Sequence, residues 1–336
     1  MKIKTIILII LDFLALCGFL LFYGPFDSFK SWYVNTAVNT MSHRYFAYIF
    51  YSEKMVNEIV NSNYSIPPAG ETNLDEIIID TEEKDTYENE YEKQILERDK
   101  NNKEYKILNV KVGNYTAIMA VIYDPSQIRI LKANVLGTGG VGENVKSMCE
   151  RNGATICLSG AGGQVNAQDY TTNIPEGAII QDGEIAWSRD NSRVGPYVGF
   201  TNDNKLLLAY DSPTGLLGRG VRDAIQWWPF LIVNGESMKS IGNGGFGNAA
   251  RAVIAQRKDG VVLFLATNAT YAYGGPTLDQ VVSVLEKYGA YNAANLDGGT
   301  SVQLVEKGKL LNTLRNIKQQ QISGRGMVSA FGFYTD

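Results

Sequence analysis

Asp297 stands alone as an acid in the run NAANLDGGTSVQLV, residues 292–305, between an apolar strand-like approach and two glycines. A plain turn does not require Leu296 before its aspartate, and a buried strand requires no aspartate at all. Gly298 and Gly299 allow close approach to the backbone, and Thr300 and Ser301 add two hydroxyls. A carboxylate delivered to a sheet rim in this way suits proton transfer, nucleophilic attack or stabilisation of a cationic carbon. Asp-Gly is also a favoured hairpin pair, so the neighbouring stretches carry the weight.

Arg251 heads the strand-like run RAVIAQRKDG and follows IGNGGFGNAA, residues 241–250. That small-residue stretch reads as a flexible loop suited to a substrate rim, and arginine holds phosphate or carboxylate through paired hydrogen bonds. LSGAGGQV, residues 158–165, runs from a strand into small residues, where the amides around Ser159 and Gly160 form a candidate anion nest. Its spacing is neither that of a P-loop nor of a dinucleotide fingerprint. In PFLIVNGE, Asn234 and Glu236 end a buried-looking strand, although Asn-Gly is equally a hairpin turn. Glycoside hydrolysis generally needs two carboxyl groups. Glu236 is taken as the partner of Asp297, with Asp211, Asp223 and Asp182 as alternatives among which the sequence does not choose.

Composition removes several chemistries. His43 is the one histidine, so a Ser-His-Asp or Cys-His engine beside these stretches and a multi-histidine zinc site are both excluded. No metal ligand set is expected and no cofactor is required, although a divalent cation held by oxygen ligands at Asp297 stays open. A net charge of -4 with no basic patch argues against nucleic acid as a partner. Cys149 and Cys157 could pair if the domain lies outside the cell, and Cys17 sits in the apolar N-terminus.

These residues need elements to position them. IILIILDFLALCGFLLFY is long enough to cross a bilayer, and Lys2 and Lys4 before it place the N-terminus in the cytoplasm. Residues 1–25 therefore read as a cytoplasmic tip and an uncleaved transmembrane signal anchor. Residues 26–70 form an aromatic-rich, helix-like segment, either at the membrane–water boundary or packed on the catalytic domain. Residues 71–104, dense in Glu and Asp, read as a solvated stalk. From Tyr105 to Asp336, short β-rich runs alternate with Gly and Asp turns. Asp182-Gly183 and Asp259-Gly260 mark hairpins; Glu143–Arg151, Arg219–Trp227 and Thr277–Tyr288 are the expected helices. The last begins with a capping box, ends at Gly289 and feeds the strand that reaches Asp297. The expected fold class is α+β with a mixed, sheet-rich domain.

Taken together, RAVIAQRKDGVVLFLATN and GGPTLDQVVSVLEKYGAYNAANLDGGTSVQLV, with the closing run GRGMVSAFGFY, resemble the phosphodiester glycosidase family. The resemblance covers Tyr105 to Tyr334 and is most specific in its last third; Trp32 to Ser52 also looks like the membrane-proximal segment of bacterial members labelled exopolysaccharide-biosynthesis proteins. It implies hydrolysis of a sugar 1-phosphodiester and puts Arg251, Asn295, Asp297, Gly298, Gly299 and Ser301 on the family's site motifs. Asp182 and Gly235 match weaker positions. Two departures stand out: Ser159-Gly160-Ala161-Gly162-Gly163 replaces an Asn-Gly-Gly segment, and Thr300 occupies a third glycine's place. On this likeness Arg251, loop amides and Arg325 hold phosphate while Asp297 acts at the anomeric carbon. The expected protein is a membrane-anchored extracytoplasmic glycosidase acting on phosphodiester-linked glycan of the cell envelope or exopolysaccharide. The alternative is a silent glycan-binding or assembly protein on the same scaffold.

Overall fold

The computed structural model describes residues 3–39, 44–166, 171–242, 244–269, 274–316 and 318–335, so His43 lies outside the described residues. They fall into two compact units. The first joins Met1–Ile66 to Ser240–Asn248, and the second joins Pro67–Lys239 to Ala249–Asp336.

The first unit begins with the helix Ile3–Tyr23, 21 residues with none buried, which at 1.5 Å per residue spans about 31 Å. It is long and apolar enough to cross a membrane. Aromatic side chains pack around its C-terminal end. The Phe22 ring stacks on Phe50 at 3.8 Å and meets Phe29 and Tyr33 edge-on, and the Tyr51 hydroxyl donates to the Phe22 carbonyl. Helices Asp27–Val38 and Glu53–Asn61 close this cluster over Val34, Ala47 and Val56. The glycine-rich run expected at the substrate rim divides here. Residues up to Asn248 belong to the first unit, where Asn39 Nδ2 donates to the Gly245 carbonyl. Only Ala249 and Ala250 stay with the second unit.

The second unit is built on three antiparallel sheets. Seven strands form the largest, in the order Glu236–Ser237, Phe230–Val233, Ala290–Asn295, Ala252–Arg257, Val262–Thr267, Tyr115–Ile122, Tyr105–Val112. A five-stranded sheet runs Leu206–Asp211, Gly195–Thr201, Val221–Gln226, Ile179–Gln181, Glu184–Trp187. Another runs Lys309–Leu310, Leu304–Glu306, Ile156–Ser159, Ser329–Phe333, Ile128–Lys132. All three line one core: Ala294 and Phe264, Phe200 and Ile225, and Leu158 and Phe331 belong to the same buried cluster. The α+β class and the sheet-rich domain are therefore as read from the sequence.

Two expectations change. The stretch 219–227 is not a helix but the strand Val221–Gln226, lodged between two neighbours that bury Val221, Asp223, Ala224 and Ile225. Its β-branched residues suit that sandwiched position better than a surface helix. The acidic segment 71–104 is not a solvated stalk. Ile77, Ile95 and Leu96 among its apolar residues are buried, while Ile78 is exposed, and its backbone bonds the domain through Thr72 to Leu208 and Ile78 to Lys258. Its acids meet the domain's cations, Glu71 with Arg219, Glu76 with Lys258 and Glu92 with Arg257. Buried apolar side chains, backbone hydrogen bonds to the domain and these ion pairs act together against the conformational entropy lost on ordering the segment. Cys149 and Cys157 form a disulfide that ties the helix Val145–Asn152 to the strand Ile156–Ser159.

The helix Leu278–Lys287 starts at the expected capping box of Thr277 and Gln280. Gly289, at φ 73° and with Arg257 where a Cβ would stand, makes the left-handed exit that turns the chain into Ala290–Asn295. That strand is buried along its whole length, which explains its small alanines.

Candidate active site

The strand Ala290–Asn295 pairs antiparallel with Ala252–Arg257, matching Asn295 to Val253. Continued two residues, this register sets Asp297 opposite Arg251. Backbone bonds carry the pairing past the strand ends, from Leu296 N to Ala252 O at 2.8 Å and from Gly299 N to Ala250 O at 2.9 Å. Arg251 Nη1 lies 3.9 Å from where a Cβ on Gly298 would stand. The guanidinium is almost wholly buried, with Nε donating to the Pro276 carbonyl, and burial lowers its pKa to about 10, which leaves it cationic at neutral pH.

Asp297 is 9% exposed. Loss of hydration raises its pKa to about 6; the charge of Glu176 pushes the same way, while the Ser301 hydroxyl, Arg325 and the Gly298 amide oppose it. From below, the Gly160 carbonyl accepts the Asp297 amide at 3.1 Å. Gly162 forms the adjoining wall, and a Cβ there would stand 2.8 Å from Asp297 Oδ2 and 2.9 Å from the Trp227 ring. Only glycine allows that approach. Gly162 also accepts, at its carbonyl, the amide of Glu176 at 3.2 Å. Burial raises the Glu176 carboxyl pKa as well, with Arg189 opposing.

Several expected residues meet here. Gly298, Gly299 and Thr300 are partly exposed at the rim, and Ser301 is buried with its hydroxyl on Asp297. Arg325 joins them, its amide donating to the Thr300 carbonyl at 3.0 Å. Asn295 donates from Nδ2 to the Leu296 carbonyl, while its Oδ1 is buried with no donor among the described residues. That unpaired acceptor is costly unless a ligand supplies a hydroxyl or amide.

Others are placed elsewhere. Asn234 and Gly235, both at positive φ, make the two-residue turn of a hairpin whose Val233 pairs with Glu236. That turn sits against Tyr291 and Asn292, so Glu236 lies at the opposite end of the strand from Asp297, on the order of 17 Å along it. The expected Asp297–Glu236 pair is thus not formed, and Asn234 instead binds Glu71 and Asn73. Asp182 is likewise a hairpin turn at the Arg222 end of Val221–Gln226, away from Trp227. Ser159 is fully buried and its hydroxyl accepts the Gln303 amide, a sheet role rather than a substrate contact. Gly160 supports Asp297 from inside the fold and does not line an open nest. Asp223 is buried against Arg222, and Asp211 receives Arg219 and the Ser212 amide.

Glu176 and Trp227 have no place in the sequence reading of the site, and Gly162 enters it only as part of the Ser159–Gly163 departure. Glu176 carries the same local signal as Asp297: an acid at a strand end, followed by glycine, in NIPEGAII. Among the described residues no group of three or more His, Cys, Asp or Glu side chains is placed to hold a metal ion.

Comparison with known proteins bears on the family and the fold. The profile of the phosphodiester glycosidase family matches residues 153–334. The catalytic domain of zebrafish N-acetylglucosamine-1-phosphodiester alpha-N-acetylglucosaminidase, solved auto-inhibited by its pro-peptide, is similar in fold. It superposes with a TM-score of 0.55 at 20% identity, over 69% of this chain and 83% of that one. A hypothetical protein from Synechocystis gives 0.44 at 16% identity over 68% and 61% of the two chains. A Burkholderia pseudomallei protein described as exported gives 0.49 at 12% over 66% and 74%. No curated protein is significantly similar to the chain in sequence.

Proposed function

The chain belongs to the phosphodiester glycosidase family, and from that membership we propose that it hydrolyses a sugar 1-phosphodiester outside the cytoplasm, held at the membrane by its N-terminal helix. The observation that carries this reading is a buried carboxyl at position 297, titrating near pH 6, with a second acid, Glu176, and the cation Arg325 close enough to shift it. A phosphate monoester leaves readily once its charge is held, so the barrier lies at the anomeric carbon, which becomes oxocarbenium-like. Arg325 and Arg251 are assigned to the phosphate. Asp297, basic enough to accept a proton from water yet mostly ionised at pH 7, acts at the carbon. Glu176 supplies the second carboxyl group that such hydrolysis generally uses. The unpaired Oδ1 of Asn295 takes a hydroxyl or amide of the sugar. This chemistry draws on carboxylates, guanidinium groups and amides alone.

The Cys149–Cys157 disulfide fits an oxidising compartment, and Lys2 and Lys4 before the apolar helix favour an N-terminus inside the cytoplasm. The proposed substrate is a phosphodiester-linked glycan of the cell envelope or exopolysaccharide. N-acetylglucosamine, named in the zebrafish enzyme, is the first sugar to try. The test is release of free sugar from N-acetylglucosamine 1-(methyl phosphate) and from other sugar 1-phosphodiesters by the detergent-solubilised full chain. Asp297→Asn and Glu176→Gln are each expected to lower the rate at least about a hundredfold, whereas Glu236→Gln stays within about twofold. Full activity in Asp297→Asn ends the assignment.

A further inference from the structure

Beside the reaction centre two large aromatic side chains face water. Trp228 is 48% exposed and Tyr210 is 54% exposed. Single exposed aromatics need no explanation, but these two belong to one connected row. The Trp228 ring lies 5.3 Å from that of Trp227, whose edge meets Gly162, the glycine against Asp297 Oδ2. The Trp227 amide donates to the Pro196 carbonyl, and Pro196 pairs directly with Tyr210 on the next strand. Tyr210 in turn packs edge-on against Phe230 at 5.4 Å. The chain between them is anchored to the site strand itself, since Asn295 N donates to the Pro229 carbonyl at 3.0 Å.

We propose that Trp228 and Tyr210 form a second saccharide subsite, which seats a sugar ring of a polymeric substrate next to the unit being cleaved. Pyranose rings present an apolar face of C–H groups and a rim of hydroxyls. A half-exposed tryptophan offers a flat apolar surface, and a tyrosine adds a polar tip. Continuity with Asp297 through Gly162 and Trp227 places this surface where the next unit of a glycan chain would lie. The subsite rests on the function proposed above and adds that the protein acts on chains in preference to small diesters.

Two measurements separate the subsite from that function. In the first, kcat/KM is compared on poly(N-acetylglucosamine 1-phosphate) and on N-acetylglucosamine 1-(methyl phosphate). Trp228→Ala and Tyr210→Ala are expected to cost the polymer at least about tenfold more than the small diester; equal losses overturn the subsite while leaving the hydrolase standing. In the second, Asp297→Asn protein is run through native gels containing the same polymer. Retardation that Trp228→Ala relieves supports the subsite even if no substrate is turned over. No retardation, or retardation unchanged in Trp228→Ala, overturns it. Association of the aromatic row with phosphatidylglycerol vesicles lacking glycan, lost in Trp228→Ala, also overturns it.

Discussion

A carboxyl held dry beside another acid is a liability to the fold, and Asp297 is such a group. Its folded pKa of about 6 lies above the ordinary aspartate value, so between roughly pH 4 and pH 6 the folded chain binds a proton that the unfolded chain does not. Stability therefore falls as pH rises through that window, and the deficit is complete above it. At 1.36 kcal/mol per unit the deficit comes to about 3 kcal/mol. Asp297→Asn, which cannot ionise, is expected to be more stable than the natural protein by up to that amount at pH 8 and to lose the advantage by pH 4. Urea unfolding at pH 4, 6 and 8 measures this. A variant equally or less stable at pH 8 contradicts the buried charge. The aspartate is legible in the sequence because an acid between a strand and two glycines serves no packing purpose. Glu176 is not, because Pro-Glu-Gly also reads as a surface turn and its tie to Asp297 runs through Gly162, in a distant strand end.

Strand ends do the positioning. Asp297 and Arg251 leave adjacent antiparallel strands at the same rim, and the loop after Ile156–Ser159 closes under them with Gly160 and Gly162. Position 162 has room for no side chain: an alanine there would put its methyl 2.8 Å from the carboxyl oxygen and 2.9 Å from the Trp227 ring. Gly162→Ala is expected to lower sugar release by about tenfold to a hundredfold while thermal unfolding shifts by only a few degrees. Unchanged kinetics in that variant would mean the loop does not shape the site. Periodicity and turn pairs located the helix Leu278–Lys287 and the Asp182 and Asn234 hairpins. They could not tell a hairpin turn from a site loop, because both use acid or amide followed by glycine. Glu236 was misassigned for that reason, since hydrogen-bond register decides which end of a strand a residue occupies.

Across the whole molecule, the second compact unit extends to Pro67 and does not begin at Tyr105. Ile77 and Ile95 are fully buried in it, the Tyr123 hydroxyl donates to the Ile95 carbonyl, and Arg98 lies 4.4 Å above the Tyr123 ring. Exposing two such seats costs about 5 kcal/mol. A chain starting at Tyr105 is expected to aggregate or melt well below one starting at Pro67, by soluble yield and thermal unfolding. Equal stability of the two would restore the stalk reading. The amino-acid sequence by itself determined the local and compositional properties: an apolar helix of bilayer length, a β-rich domain, a chemistry without histidine, and the aspartate among glycines. These depend on residue type and near-neighbour spacing alone. The tertiary structure decided which acid lies near that aspartate, the placement of Glu236 away from it, the docking of the acidic segment and the pairing of Cys149 with Cys157. Each of these depends on contacts between distant parts of the chain, which no local pattern records.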